Sequence, residues 1–110
     1  MTERELQQAV IDLARVFRWK VAHFRPALTA HGWRTPVQAD GAGFPDLVLV
    51  RDRAVYAELK AVRGRLTERQ AEWRAALEHA GQEYHLWTPT DWADGSIDRV
   101  LIPDLKKETA

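Results

Sequence analysis

Residues 46–60 confine this chain more than any other stretch. Asp46 is followed by four apolar strand formers, Leu47-Val48-Leu49-Val50, and after Arg51-Asp52-Arg53 a second run, Ala54 to Lys60, ends on Glu58-Leu59-Lys60. Two such runs separated by a short charged link predict an antiparallel hairpin. Side chains alternate faces along a strand, so register decides which of them meet. A three-residue turn with Val50 facing Ala54 brings Asp46 opposite Glu58 on one face, and a two-residue turn puts them on opposite faces. Lys60, two residues beyond Glu58, leaves by the same face as Glu58. Charged groups are seldom built into buried strands unless they are paired or bind a metal. Two hard oxygen ligands side by side suit Mg²⁺ or Mn²⁺; a salt bridge from one of the acids to Lys60 accounts for the same residues without a metal.

The rest of the chain fits around this hairpin. Thr2-Glu3-Arg4-Glu5 has capping-box spacing, and the helix it opens carries Leu6, Val10, Leu13, Ala14 and Phe17 on one stripe, ending near Arg18. Lys20 to Arg25 alternates ahead of Pro26 and predicts a strand. Pro26 to Gly43 holds three Gly and two Pro with no clear period and reads as a long loop. After a short basic link at Val62 to Leu66, Thr67-Glu68-Arg69-Gln70 opens a helix that runs through Leu77 to Ala80 and stops at Gly81. Glu83 to Trp87 is a further strand closed by Thr88-Pro89, a short helix is expected around Ile97 to Leu101, and about 104–110 is a polar tail. The expected fold class is α/β, in the order α-β-β-β-α-β, with one mixed sheet flanked by helices in a single domain over 1–110.

Composition removes several functions. The chain has no Cys, which excludes disulfides, thiolate zinc sites and a Cys nucleophile. His23, His31, His79 and His85 lack metal-ligand spacing on any one element. Gly41-Ala42-Gly43 precedes a strand instead of opening a helix, so no nucleotide cofactor is expected. No apolar run is long enough to span a membrane, and the N-terminus does not read as a signal peptide, so the expected location is the cytoplasm. Sixteen basic and sixteen acidic residues balance overall, but residues 1–70 hold twelve Lys/Arg against eight Asp/Glu, and residues 71–110 hold four against eight. A basic region on a neutral protein is compatible with a polyanionic partner and with ordinary surface scatter.

The helices offer further candidates. At a helical period Glu3 lies roughly 45° from the centre of the first apolar stripe and Glu5 about 115° away, so Glu5 is the reciprocal capping residue and Glu3 the acid turned toward the core. Gln70 falls on the stripe of Trp73, Leu77 and Ala80 and so looks inward, although the third helical position of a capping box explains a Gln without any function. Arg63, Arg65 and Arg69 follow Lys60 closely and form either a basic rim for phosphate contacts or a solvated loop. His23 and Arg25 share a face of the first strand and could reach the same substrate; a structural histidine explains His23 equally well. Trp33 in the long loop could stack on a base, and Trp19, Trp73, Trp87 and Trp92 read as core or interface.

Gly43-Phe44-Pro45-Asp46, Glu58-Leu59-Lys60, Gln70 at the head of a helix and a Glu on the first helix together resemble the VRR-NUC domain. This is the virus-type replication-repair branch of the PD-(D/E)XK nuclease superfamily, similar in layout to archaeal-type Holliday junction resolvases. The resemblance covers Glu3 to about Trp92 and implies a restriction-endonuclease-like core. It further implies that Asp46 and Glu58 bind the divalent metal, that Lys60 acts on the attacking water, and that Glu3 and Gln70 complete the site. The implied activity is Mg²⁺- or Mn²⁺-dependent endonucleolytic hydrolysis of DNA, on branched or flapped substrates in replication, recombination or repair. A homodimer is implied as well, in keeping with the number of aromatic residues. The alternatives are a DNA-binding module of the same fold with an inactive site and a protein-interaction domain that keeps the fold for dimerisation.

Overall fold

The computed structural model describes residues 1–24, 27–29, 32–34 and 38–104, with backbone alone for 27–29 and 33–34. Arg25 and residues 105–110 of the polar tail lie outside the described residues. The elements in chain order are α1 (Glu3–Val16), β1 (Lys20–His23), β2 (Ala27–Thr29), β3 (Gly32–Arg34), β4 (Leu47–Val50), β5 (Ala54–Leu59), α2 (Glu68–His79), β6 (Glu83–Trp87), α3 (Pro89–Ala93) and α4 (Ser96–Leu101). The class is mixed α/β. The simple order expected from the sequence is corrected by a hairpin between the first two strands of the main sheet and by two helices after the last.

The main sheet has the order β1-β4-β5-β6, antiparallel across the first three strands and parallel between β5 and β6. The parallel pair is joined through α2, since a parallel neighbour needs a crossover connection. Val50 faces Ala54 across the three-residue turn, so the register is the one that places residues 46 and 58 opposite each other. Leu47, Leu49, Val55, Ala57 and Leu59 alternate onto one face and are fully buried against Leu6, Val10 and Ala14 of α1 and Ile97 and Leu101 of α4. Trp19 and Trp87 complete this core, and the Trp19 indole N–H donates to the Leu101 carbonyl at 2.8 Å. On the opposite face α2 lies against β6, contributing buried Leu77 and placing the Arg74 guanidinium 5.3 Å above the Tyr84 ring. Among the described residues, no helix is long and apolar enough to cross a membrane.

The expected loop at 26–43 contains β2 and β3, which pair antiparallel with Leu28 opposite Trp33. Three-residue strands are too short to show a period, which is why the sequence pattern misses them. The C-terminal stretch holds two short helices where one is expected. Its extra helix, α3, starts at Pro89, and the Asp91 carboxylate accepts from the Thr88 N–H at 2.9 Å. Proline in a first turn is pre-organised for a helix.

Both long helices begin with reciprocal caps. In α1 the Glu5 N–H donates to the Thr2 hydroxyl and the Thr2 N–H to the Glu5 carboxylate, each at 3.1 Å. Their ends share another device. At α2, Gly81 takes φ +77°, with its N–H bonded to the Glu78 carbonyl and the Gln82 N–H to that of Leu77. At α1 the same pair of bonds runs from Arg18 to Arg15 and from Trp19 to Ala14, with Arg18 at φ +66°. The left-handed region costs a non-glycine residue about 1–2 kcal/mol, more than the roughly 0.5–1 kcal/mol of extra chain entropy a glycine loses on folding. Arg18→Gly therefore raises stability by about 0.5–1 kcal/mol, read as a higher urea midpoint at unchanged slope. An unchanged or lower midpoint would contradict this account of the helix end.

Candidate functional site

At the end of the sheet where β4 begins and β5 finishes, the hairpin register brings the Asp46 and Glu58 carboxyl groups together. Asp46 precedes the first residue of β4, and its Oδ2 accepts from the Leu59 N–H at 3.0 Å, taking the place of a ladder carbonyl beyond the end of the strand. Glu58 is 2% exposed and is the one charged residue in the core of the described residues. Its Oε1 accepts from the Gln70 side-chain amide at 3.0 Å and lies 3.9 Å from Lys60 Nζ. Its Oε2 is buried with no hydrogen-bond partner.

Gln70 serves the helix cap and the site together. Its backbone N–H donates to the Thr67 hydroxyl at 3.2 Å, its side-chain oxygen accepts from the Thr67 N–H at 2.9 Å, and its amide NH₂ is left for Glu58. The two explanations offered by the sequence are thus both present in one side chain. The start of α2 is fixed in turn by Gly43 (φ +84°), where an added Cβ would stand 2.6 Å from the Arg69 carbonyl carbon and 2.8 Å from the Gln70 nitrogen. Only glycine tolerates both the backbone angle and that approach. Phe44 wedges its ring edge-on against Phe24, Tyr56 and Trp73 at 5.5, 6.2 and 4.9 Å, and the Trp73 indole N–H donates to the Asp40 carbonyl at 2.9 Å. Pro45 is fully buried. The segment 40–46 is therefore clamped to α2 by Gly43, Phe44 and Trp73. Positional periodicity carries no signal for this clamp, although the conformational freedom of Gly43 is the cue that was available.

Electrostatics follow from the crowding. Burial, first, and the Asp46 charge, second, push the Glu58 carboxyl up to about 8, against a smaller opposing pull from Lys60. The Asp46 carboxylate thus acts on Glu58 at close range. With Glu58 ionised its Oε2 has no donor; a proton on Glu58 or a bound cation supplies what is missing. Glu3, on the exposed first turn of α1, is also raised, by partial burial and by the Asp46 charge, while Lys60 lowers it. Glu5 is lowered by its bonds to Thr2. Of the two acids on α1, Glu3 is the one in electrostatic contact with the site and Glu5 the one engaged in the cap.

The remaining predicted residues are placed as follows. Lys60 is 16% exposed in its side chain, and its distance to Glu58 is too long for a hydrogen bond. The ion pair between Lys60 and Glu58, the alternative to a metal site, is thus present, although without a hydrogen bond. Arg63 and Arg65 are exposed on the connection into α2 and Arg69 in the first turn of α2, with Arg63 at φ +69°. His23 is half-buried opposite Leu47, one step along β4 from Asp46. Trp73 is engaged in the clamp, and Trp19 and Trp87 lie in the core. Tyr84, which sequence reasoning passed over, senses the carboxylates: burial and the Glu58 charge push its hydroxyl up to about 12.

An oxygen donor pair with an orphaned buried oxygen fits a hard divalent cation such as Mg²⁺ or Mn²⁺, which takes one or two carboxylates and completes its shell elsewhere. Among the described residues, no group of three or more His, Cys, Asp or Glu side chains is arranged to hold a metal ion. The chain matches no family model, no curated protein and no solved structure. What the site does chemically therefore rests on its own residues.

A carboxyl raised from 4.5 binds its proton more tightly in the folded chain than in the unfolded one. The stability this contributes is fully present below pH about 4.5 and is lost as pH rises through about 8. Metal-free protein should lose urea resistance across that window. Glu58→Gln should flatten the loss, because a neutral amide has no proton to give up. Equal pH profiles for the two proteins would show that Glu58 does not carry the raised proton affinity.

Proposed function

We propose that this chain is a Mg²⁺- or Mn²⁺-dependent DNA endonuclease built on a restriction-endonuclease-like core. The observation that carries the reading is the buried Glu58 carboxylate, paired with Asp46, held by Gln70 and left with one oxygen unpartnered. Element order supports it: without the β2–β3 hairpin and the last two helices, α1, β1, β4, β5, α2 and β6 run α-β-β-β-α-β. Branched or flapped DNA as the substrate rests on the VRR-NUC resemblance.

In this reading Asp46 and Glu58 hold the divalent ion, and Gln70 keeps Glu58 in the orientation that aims its free oxygen into the site. A bound divalent cation supplies Lewis-acid stabilisation of the charge that develops on a phosphodiester as the P–O bond to the leaving 3′ oxygen breaks. Lys60 brings a fixed positive charge beside the carboxylates, which neutralises the incoming phosphate and positions the attacking water. Glu3 tunes the net charge of the pocket from the α1 side. Arg63 and Arg65, exposed on the connection that follows Lys60, and Arg69, exposed in the first turn of α2, contact phosphates without reading sequence.

A second reading, a DNA-binding module of the same fold with an idle site, is favoured by one observation: no third ligating side chain converges on the carboxylate pair among the described residues.

The two separate in one assay. Duplex, flap and four-way-junction DNA are incubated with the protein in Mg²⁺, in Mn²⁺ and in EDTA. Cutting should require metal and fall by about a hundredfold or more in Glu58→Gln and Lys60→Ala. Glu3→Gln should slow it, and Glu5→Gln, which preserves the cap, should not. Failure to cut under any metal condition, with DNA binding intact, would leave the binding module standing and the nuclease reading refuted.

A further inference from the structure

Sequence reasoning placed cationic residues after Lys60 and added His23 and Arg25 on the first strand; in the structure His23 belongs to a larger cationic group on the α1 side of the sheet. A cleft of about 470 Å³ runs between the C-terminal half of α1 and β1, lined by Arg15, Arg18, Lys20 and His23 over Ile11 and Val21. No carboxylate lines it. Each cation taken singly has an ordinary explanation. Arg15 sits in the last turn of α1, where the helix dipole favours positive charge. Arg18 occupies the helix-terminating position, and Lys20 guards an edge strand. None of these explanations requires them to converge on one cleft, nor requires the cleft to lack acids.

Its direction adds to the argument. β1 is an edge strand of the main sheet, paired only with β4. From Lys20 the cleft leads to His23, which faces Leu47, and the next residue, Phe24, donates its N–H to the Asp46 carbonyl at 3.2 Å. One end of the cleft therefore reaches the edge of the sheet next to Asp46, while the Glu58 carboxylate, bonded to Gln70, lies on the face toward α2. Lys20 to His23 spans about 10 Å at a strand rise near 3.4 Å per residue, the axial length of about three phosphates on one strand of B-DNA.

We propose that this α1–β1 cleft is a nucleic-acid track, in which Arg15, Arg18 and Lys20 neutralise successive phosphates of a strand that passes the β1 edge toward the Asp46–Glu58 end of the sheet. The inference deepens the nuclease reading and rests on its nucleic-acid part, but does not need the site to be active. An extended acidic peptide added to the β1 edge is the competing occupant. Lys20 on that edge and the uniform positive charge of the lining favour the phosphate backbone.

The test measures binding of labelled duplex and single-stranded oligonucleotides in EDTA over a range of salt. Wild type is compared with Arg15→Gln/Lys20→Gln and, separately, with Arg18→Gly, which removes a charge at a position where glycine suits the backbone. The double variant should bind DNA about tenfold or more weakly and lower the slope of log K against log salt by about 1.8, near 0.9 for each lost phosphate contact. Arg18→Gly should lower the slope by about 0.9. Unchanged affinity and slope in both variants would overturn the track, as would an absence of DNA binding by wild type. Displacement of DNA by a polyglutamate peptide that binds wild type more tightly would assign the cleft to peptide instead. Metal-dependent cutting by a protein whose cleft variants bind normally would sink the track and spare the nuclease. Cleft-dependent binding without cutting would do the reverse.

Discussion

Two carboxyl groups forced against each other, one of them buried, are the constraint from which the rest of this molecule follows. The β4–β5 turn sets the register, and the register leaves Asp46 and Glu58 no choice but to meet. A buried, uncompensated carboxylate costs several kcal/mol, so such a pair persists only where the surroundings offset it. Here the Leu59 N–H serves Asp46, the Gln70 amide serves one oxygen of Glu58, and Lys60 supplies charge at 3.9 Å. The remaining oxygen of Glu58 is the part of the account that the protein itself does not close.

The scaffold divides its labour between the two faces of the sheet. The face toward α1 and α4 holds the main apolar core and anchors the strands. The face toward α2 is held differently, by Leu77, by the Arg74–Tyr84 contact and by the clamp of Gly43, Phe44 and Trp73. That clamp sets where the first turn of α2 sits, and Gln70 is in that turn. Packing at residues 40–46 is thereby coupled to the orientation of Glu58, which makes Gly43 and Trp73 positioning residues although neither touches the carboxylates.

Much of this was legible in the residues themselves. The two apolar runs and their short link predicted the hairpin, and turn length tied its register to whether Asp46 and Glu58 share a face; the three-residue turn is the one found. Capping-box spacing located both long helices and separated Glu5 from Glu3, since the cap occupies one acid and leaves the other. What escaped has physical reasons. Strands as short as Ala27–Thr29 and Gly32–Arg34 have no measurable period, and Thr88-Pro89 reads as a strand stop when it also starts a helix. Gln70 looked like a choice between cap and site because a linear pattern cannot show that one amide offers its oxygen to one partner and its nitrogen to another. The α1–β1 cleft was invisible for a similar reason: its cations come from a helix end, a turn and a strand edge that only the fold brings together.

In the proposed function, Glu58 retains a proton beside Asp46 that a divalent cation would displace. Calorimetric titration of the protein with Mn²⁺ near neutral pH, in buffers of different ionisation enthalpy, measures both binding and proton release. The account gives saturable binding with about one proton released per ion, and loss of both in Glu58→Gln. Binding that releases no proton, or that survives the substitution unchanged, would contradict it.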